Sequence, residues 1–177
     1  MNVKRPAEEL DPDANPASVA RSIILRQLTN SPKSRHQLAQ KLAERHVPED
    51  VAEAVLDRFV EVKLIDDAEF ANLWVRSRAS NKSLARGALK RELAEKGIDP
   101  ELAQEALAQI TDEDEHESAE VLVRRKLRGT MDLSERAERD KYTRRWVAML
   151  ARKGYNPSAA FAVVAKVIEE SLIDESP

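Results

Sequence analysis

The amino-acid sequence predicts an all-α protein built as three tandem three-helix repeats in an elongated or curved array, and three observations carry that expectation. Charged residues make up 34% of the chain and aromatics 4%. Ala, Leu, Glu, Lys and Arg dominate, which are strong helix formers, while strand-favouring residues are sparse. An apolar template then recurs: Leu38, Leu42, Val47, Val51, Val55, Leu56 and Phe59 match Leu89, Leu93, Ile98, Leu102, Ala106, Leu107 and Ile110, and match again Trp146, Leu150, Tyr155, Ala159, Val163, Val164 and Val167, without a gap inside any copy. Finally, the stop and start signals inside the template recur with it.

The elements follow in chain order. Residues 1–16 are rich in Pro and Asp and read as a disordered tail. Asn15-Pro16 opens a helix carrying Val19, Ile23, Ile24 and Leu28, which breaks at Ser31-Pro32. Ser34 with Gln37 three residues on is a capping-box pattern for the next helix. His46 is a weak stop and Pro48 a helix start, so residues 17–65 form the first repeat. Asp66-Asp67 opens the second, at 66–111, with Glu69 supporting the start and Phe70, Leu73, Trp74 and Val75 inside it. Gly97 ends its middle helix in the left-handed conformation that glycine adopts without penalty, and Asp99-Pro100 starts the third. An acidic run at 112–117 serves as linker or helix start, since carboxylates favour a helix N-terminus. The third repeat, 115–170, begins with Ala119, Leu122, Val123 and Leu127 on a helix fading near Gly129; Gly154 and Asn156-Pro157 repeat the turn, and 171–177 is a tail. Units of this size are near the lower limit for holding a core alone, so neighbours are expected to pack together.

Composition excludes several classes. Without cysteine there is no disulfide framework, thiolate nucleophile or cysteine zinc site. No apolar run approaches the roughly 20 residues of a membrane helix, and no signal-like stretch follows Lys4 and Arg5; a cytoplasmic protein is expected. The four glycines are isolated, so no phosphate-cradling loop can be assembled. His36, His46 and His116 do not share a helical face, and the serines form no nucleophile elbow. Asp66 and Asp67 are the most tempting carboxylate pair, but opening a helix explains them better than acid–base work. The sequence therefore predicts no enzyme, no metal and no cofactor.

Charge is unevenly placed despite a net of −3. From Arg76 to Lys96 stand seven basic and two acidic residues, and from Arg124 to Lys153 eleven basic and four acidic. Arg86 and Lys90 are four apart on one face, away from the stripe of Leu89 and Leu93, with Arg76, Arg78 and Lys82 leading in and Lys96 ending the helix. Arg124, Arg125, Lys126 and Arg128 form a second cluster, and Arg144, Arg145, Arg152 and Lys153 a third. Solvated helix faces explain any one of these charges; together they point to a polyanionic or acidic partner. Phe59, Phe70, Trp74, Trp146 and Phe161 fall on apolar stripes and read as core rather than as stacking platforms for single strands. The basic helices leave a helix-turn-helix DNA-binding regulator as the alternative, and a helical adaptor as a third reading.

The segment Leu64-Ile65-Asp66-Asp67-Ala68-Glu69-Phe70-Ala71 with Trp74-Val75 and Arg78 resembles the signature of the RecX family, modulators of the RecA recombinase. Gly87, Leu89, Leu93 and Lys96-Gly97-Ile98 are similar to that family's central pattern, Ser34-Arg35 with Leu38 and Lys41-Leu42 to its first motif, and Lys153-Gly154-Tyr155 to its third turn. The resemblance runs from about residue 17 to 170. Gln37 stands where the family usually has an acid, His46 where it has glycine, and Lys153-Gly154-Tyr155 where it reads Arg-Gly-Phe. The absence of long heptads favours a monomer over a coiled-coil dimer, and the resemblance implies a non-catalytic protein. It would bind the groove of the RecA filament on single-stranded DNA, suppress recombinase, ATPase and coprotease activity, and so tune DNA repair and the SOS response. Weak, sequence-indifferent DNA binding of its own would accompany this. By matching segment it places the binding face on Arg76, Arg78, Lys82, Arg86, Lys90 and Lys96, extending to Arg124, Arg125, Arg144 and Arg145.

Overall fold

The computed structural model describes residues 15–127 and 133–174; the expected tail up to residue 14, together with Arg128 and Gly129, lies outside the described residues. Among these, nine helices and no strand occur. They are α1 (Pro16–Asn30), α2 (Arg35–Ala43), α3 (Glu49–Glu61), α4 (Asp67–Lys82), α5 (Arg86–Glu95), α6 (Pro100–Leu107), α7 (Asp112–Arg124), α8 (Arg136–Arg152) and α9 (Pro157–Asp174). No helix among the described residues is long and apolar enough to cross a membrane. The chain divides into two compact units, one up to Phe70 and one from Ala71 onward.

In the first unit the expected caps are formed. The Asn15 side chain accepts from the Ala17 N–H at 3.0 Å. Ser34 and Gln37 close a reciprocal box, each side chain bonded at 3.2 Å to the other's backbone N–H. Ala20, Ile24, Leu38, Leu42, Leu56 and Ile65 make a core among α1, α2 and α3. After α2 the chain turns through His46 at φ 57°, a position where the Cβ costs about 1–2 kcal/mol.

The second unit holds α4 from Ala71 onward and α5 to α9. Leu89 and Leu93 are fully buried on α5, and α5 packs on α6. A separate core joins α7, α8 and α9 through Val123, Leu133, Trp146, Leu150, Tyr155 and Val163. Gly97 (φ 69°) and Gly154 (φ 89°) are both left-handed. The following residue donates back across the turn in all three copies: Val47 to Leu42 O, Ile98 to Leu93 O and Tyr155 to Leu150 O, at 3.1–3.2 Å.

The acidic run opens α7, the helix start that its carboxylates favour, capped by a Thr111–Asp114 box. Three features differ from expectation. α9 continues to Asp174, past residue 170, because Leu172 packs on the core. Phe161 is 52% exposed, since it lies about 100° around the helix from the buried line of Ala160, Val163, Val164 and Val167. Ala159 is exposed as well. The buried position is one residue later, where Ala52, Ala103 and Ala160 stand in the three copies.

Candidate functional site: a cation-rich face of the second unit

No Asp or Glu occurs between Glu69 and Glu92, whereas Arg76, Arg78, Lys82, Arg86, Lys90 and Arg91 do. This stretch spans most of α4 and the start of α5, so the scaffold displays cations and neutral donors with no carboxylate of its own. Arg76, Ser77, Ser80, Asn81 and Lys82 are exposed along the C-terminal half of α4. Lys90 and Arg91 are exposed on α5, beside the buried Leu89.

The carboxylates that do approach stand outside this stretch, on the rest of α5 and on α7, and they sort the expected residues. Arg78 is half-buried and clamps Glu92 through two bonds, Nε to Oε2 at 2.8 Å and Nη2 to Oε1 at 2.7 Å. The Trp74 indole N–H donates to the same Oε2 at 2.8 Å. Arg78 and Lys96 each stand 4.9 Å from the centre of the Trp74 ring; Trp74 is therefore a half-buried platform between α4 and α5 rather than a core residue. Burial pushes the Glu92 carboxyl up, but the bonds from Arg78 and Trp74 outweigh it and hold it below the usual glutamate value.

Arg86, expected on an open face, is closed in. Its guanidinium meets Asp112 and Glu115, the latter at 3.1 Å, and its backbone N–H donates to Glu115 at 2.6 Å. Side-chain bonds from Glu115 and Asp112 raise its pKa further. The sequence offered no partner within α5; the partners come from α7. Arg124 likewise pairs with Glu120 on its own helix and with Glu170 of α9 at 2.6 Å. Arg125, which caps α7, and Arg144 and Arg145 on α8 are exposed.

Lys153 lies outside the face that the sequence predicts, and folding brings it beside Lys82. Its Nζ donates to Lys82 O at 2.5 Å, and its carbonyl accepts from the Ala85 N–H at 2.9 Å. The Tyr155 hydroxyl donates to Ser83 O at 3.1 Å and contacts Ser118 at 3.0 Å. A Cβ on Gly87 would meet the Gly154 carbonyl at 2.5 Å, so glycine here is what lets α5 approach the α8–α9 turn. Only the Lys-Gly-Tyr turn hinted at this in the sequence. Of these cations Arg76, Lys82, Lys90 and Arg91 are exposed, and Lys153 is bonded to the Lys82 carbonyl. No group of three or more potential metal ligands occurs among the described residues.

The profile described as RecX, first three-helix domain, matches residues 20–59, and that of RecX, second three-helix domain, matches 66–107. A protein named regulatory protein RecX from Streptomyces coelicolor is 48% identical over 93% of this chain and 85% of its own. One of the same name from Mycolicibacterium vanbaalenii is 45% identical over 88% and 86%. The crystal structure of RecX from Lactobacillus salivarius superposes with a TM-score of 0.74 at 22% identity, covering 86% of this chain and 96% of that one, a likeness of fold.

Proposed function

The chain belongs to the RecX family, and on that premise we propose that it is a non-catalytic modulator of the RecA recombinase that docks through the cation-rich face of its second unit. In this reading it binds the recombinase filament on single-stranded DNA along its groove, as a cytoplasmic monomer, and lowers ATP hydrolysis, strand exchange and coprotease activity. Three tandem three-helix repeats, bounded near residues 65 and 111, are the modules that lie along the partner. The observation that carries the reading is the carboxylate-free stretch between Glu69 and Glu92, whose exposed cations are interleaved with Ser77, Ser80 and Asn81. Such donors contact phosphates and position a protein without reading base sequence. A role in DNA repair and the SOS response follows from acting on that recombinase.

The test is a titration into RecA on single-stranded DNA. ATP hydrolysis and strand exchange fall at substoichiometric ratios, and unchanged rates would remove the proposal. Lys82→Glu with Lys90→Glu weakens the inhibition by an order of magnitude while leaving helicity and thermal unfolding unchanged. A base-preferring shift of duplex DNA without recombinase would favour a helix-turn-helix regulator instead.

A further inference from the structure

Glu92 is held by three nitrogen donors from two side chains. Arg78 grips it with two nitrogens, the Trp74 indole N–H adds a third donor, and Lys96 stands over the same ring. Lys82 also acts on it electrostatically. A fork of two guanidinium donors with a neutral N–H beside it and further cations around it matches an oxygen-rich tetrahedral anion as well as it matches a planar carboxylate. The cluster is within reach of solvent, with the Arg78 and Glu92 side chains 24% and 22% exposed. Along the same helix Ser77 and Asn81 supply neutral donors and Arg76 and Lys82 supply charge, with no carboxylate to repel an anion.

From this geometry we infer that Trp74, Arg78 and Lys96 form a phosphodiester-binding site on the second unit, and that Glu92 occupies it as an internal stand-in for the phosphate. A backbone phosphate of single-stranded nucleic acid displaces the Glu92 carboxylate from Arg78 and the indole N–H. While the carboxylate stays, it keeps the chain's own affinity for nucleic acid low. Serine, asparagine and cations side by side favour a phosphodiester over an acidic protein surface, because phosphate oxygens accept from neutral donors of that kind throughout protein–DNA contacts. This deepens the docking reading above and rests on its face, but it concerns nucleic acid alone and is measured without recombinase.

The experiment compares Glu92→Gln with Glu95→Gln. Glu95 is exposed on the same helix, so both variants remove one negative charge and only one removes it from the site. Binding of a fluorescent oligo-dT is followed by anisotropy across a salt series. Glu92→Gln binds at least about five-fold tighter than the parent with Glu95→Gln within two-fold, and its salt slope steepens by about 0.7, one added contact to a single strand. Equal effects of the two variants would reduce the site to bulk charge and overturn the inference, as would unchanged or weaker binding by Glu92→Gln. Tighter binding of Glu92→Gln to recombinase alone, with oligo-dT unaffected, would overturn it in favour of an acidic protein partner. In the unaltered chain, oligo-dT shifts the Trp74 indole N–H resonance while that of the buried Trp146 stays, which keeps the inference testable should the variant fold poorly; a Trp74 resonance unmoved at saturation would sink it. Failure here with intact inhibition of recombinase leaves the docking reading standing, and loss of inhibition with this site intact does the reverse.

Discussion

α2 in the first unit and α5 in the second begin at equivalent points of the repeat, at Arg35 and Arg86, yet they are held in different ways. α2 is capped by its own neighbours: Ser34 and Gln37 form a reciprocal box, and the Arg35 guanidinium bonds Glu53 and Asp57 of α3 at 2.6 and 2.7 Å. α5 has Ala85 at its cap and no side-chain cap bond. Its first N–H groups are satisfied from afar, Ala85 by the Lys153 carbonyl and Arg86 by Glu115. One element survives in both: a carboxylate from the following helix set accepts the arginine backbone N–H, Asp67 for Arg35 at 2.8 Å and Glu115 for Arg86 at 2.6 Å. The first helix set is closed by local chemistry. The second is closed by the third.

The largest expected contrast comes from the turns. Gly154→Ala forces a side chain into φ 89° with its Cβ 2.1 Å from the Ala88 nitrogen, and backbone strain plus overpacking should cost about 2–5 kcal/mol in denaturant unfolding. The equivalent residue in the first unit already carries a side chain, so His46→Gly should stabilise by about 1 kcal/mol. Equal responses at the two turns would contradict the tight approach of α5 to the α8–α9 turn.

Glu115→Ala removes the acceptor of the Arg86 N–H and one partner of its guanidinium together, and should cost about 1–3 kcal/mol. Asp67→Ala should cost under about 1 kcal/mol, because α2 keeps its box and Arg35 keeps Glu53 and Asp57. Thermal unfolding of the two variants side by side decides it; a costlier Asp67→Ala would mean that α2 depends on the following helix more than α5 does.

Ser34→Ala comes next, at about 1 kcal/mol, whereas Ala85→Ser should change stability by less than about 0.5 kcal/mol, because its helix end is already satisfied. The same contrast explains what could be read from the chain. Asn15, Ser34, Asp99 and Asn156 are caps whose partners lie two or three residues away, so sequence spacing is enough to reveal them. The Thr111–Asp114 box is equally local, and the acidic run beside it already reads as a helix start. Glu115 is 29 residues from Arg86, and no pattern along the chain pairs them. Arg86 therefore reads as an open cation until α7 is placed beside it, and Lys153 reads as a turn residue until its Nζ is seen on the Lys82 carbonyl. Apolar spacing exposed the repeat, yet it put Ala159 rather than Ala160 on the buried side of α9, because a seven-position template does not fix helix rotation to within one residue.

The smallest effect, and the sharpest in sign, is pH. Burial pushes the Asp67 carboxyl above its usual 3.8, outweighing the Arg35 N–H and charge that favour the ionised form. Its charged state therefore opposes folding at neutral pH, and that opposition fades as pH falls through the raised value toward 3.8. Glu92 behaves oppositely. Its contribution is complete above the usual 4.5 and is lost as pH falls through its lowered folded value. Urea unfolding from neutral pH down to about pH 4 should show Asp67→Asn, which keeps an acceptor for Arg35 without the charge, losing its advantage over the parent on acidification. Glu92→Gln should instead see its deficit shrink over the lowest part of the range. If both differences drift in the same direction, the two carboxylates share one environment, and the distinction between a locally closed first helix set and a second set built around a gripped anion fails at the residues meant to show it.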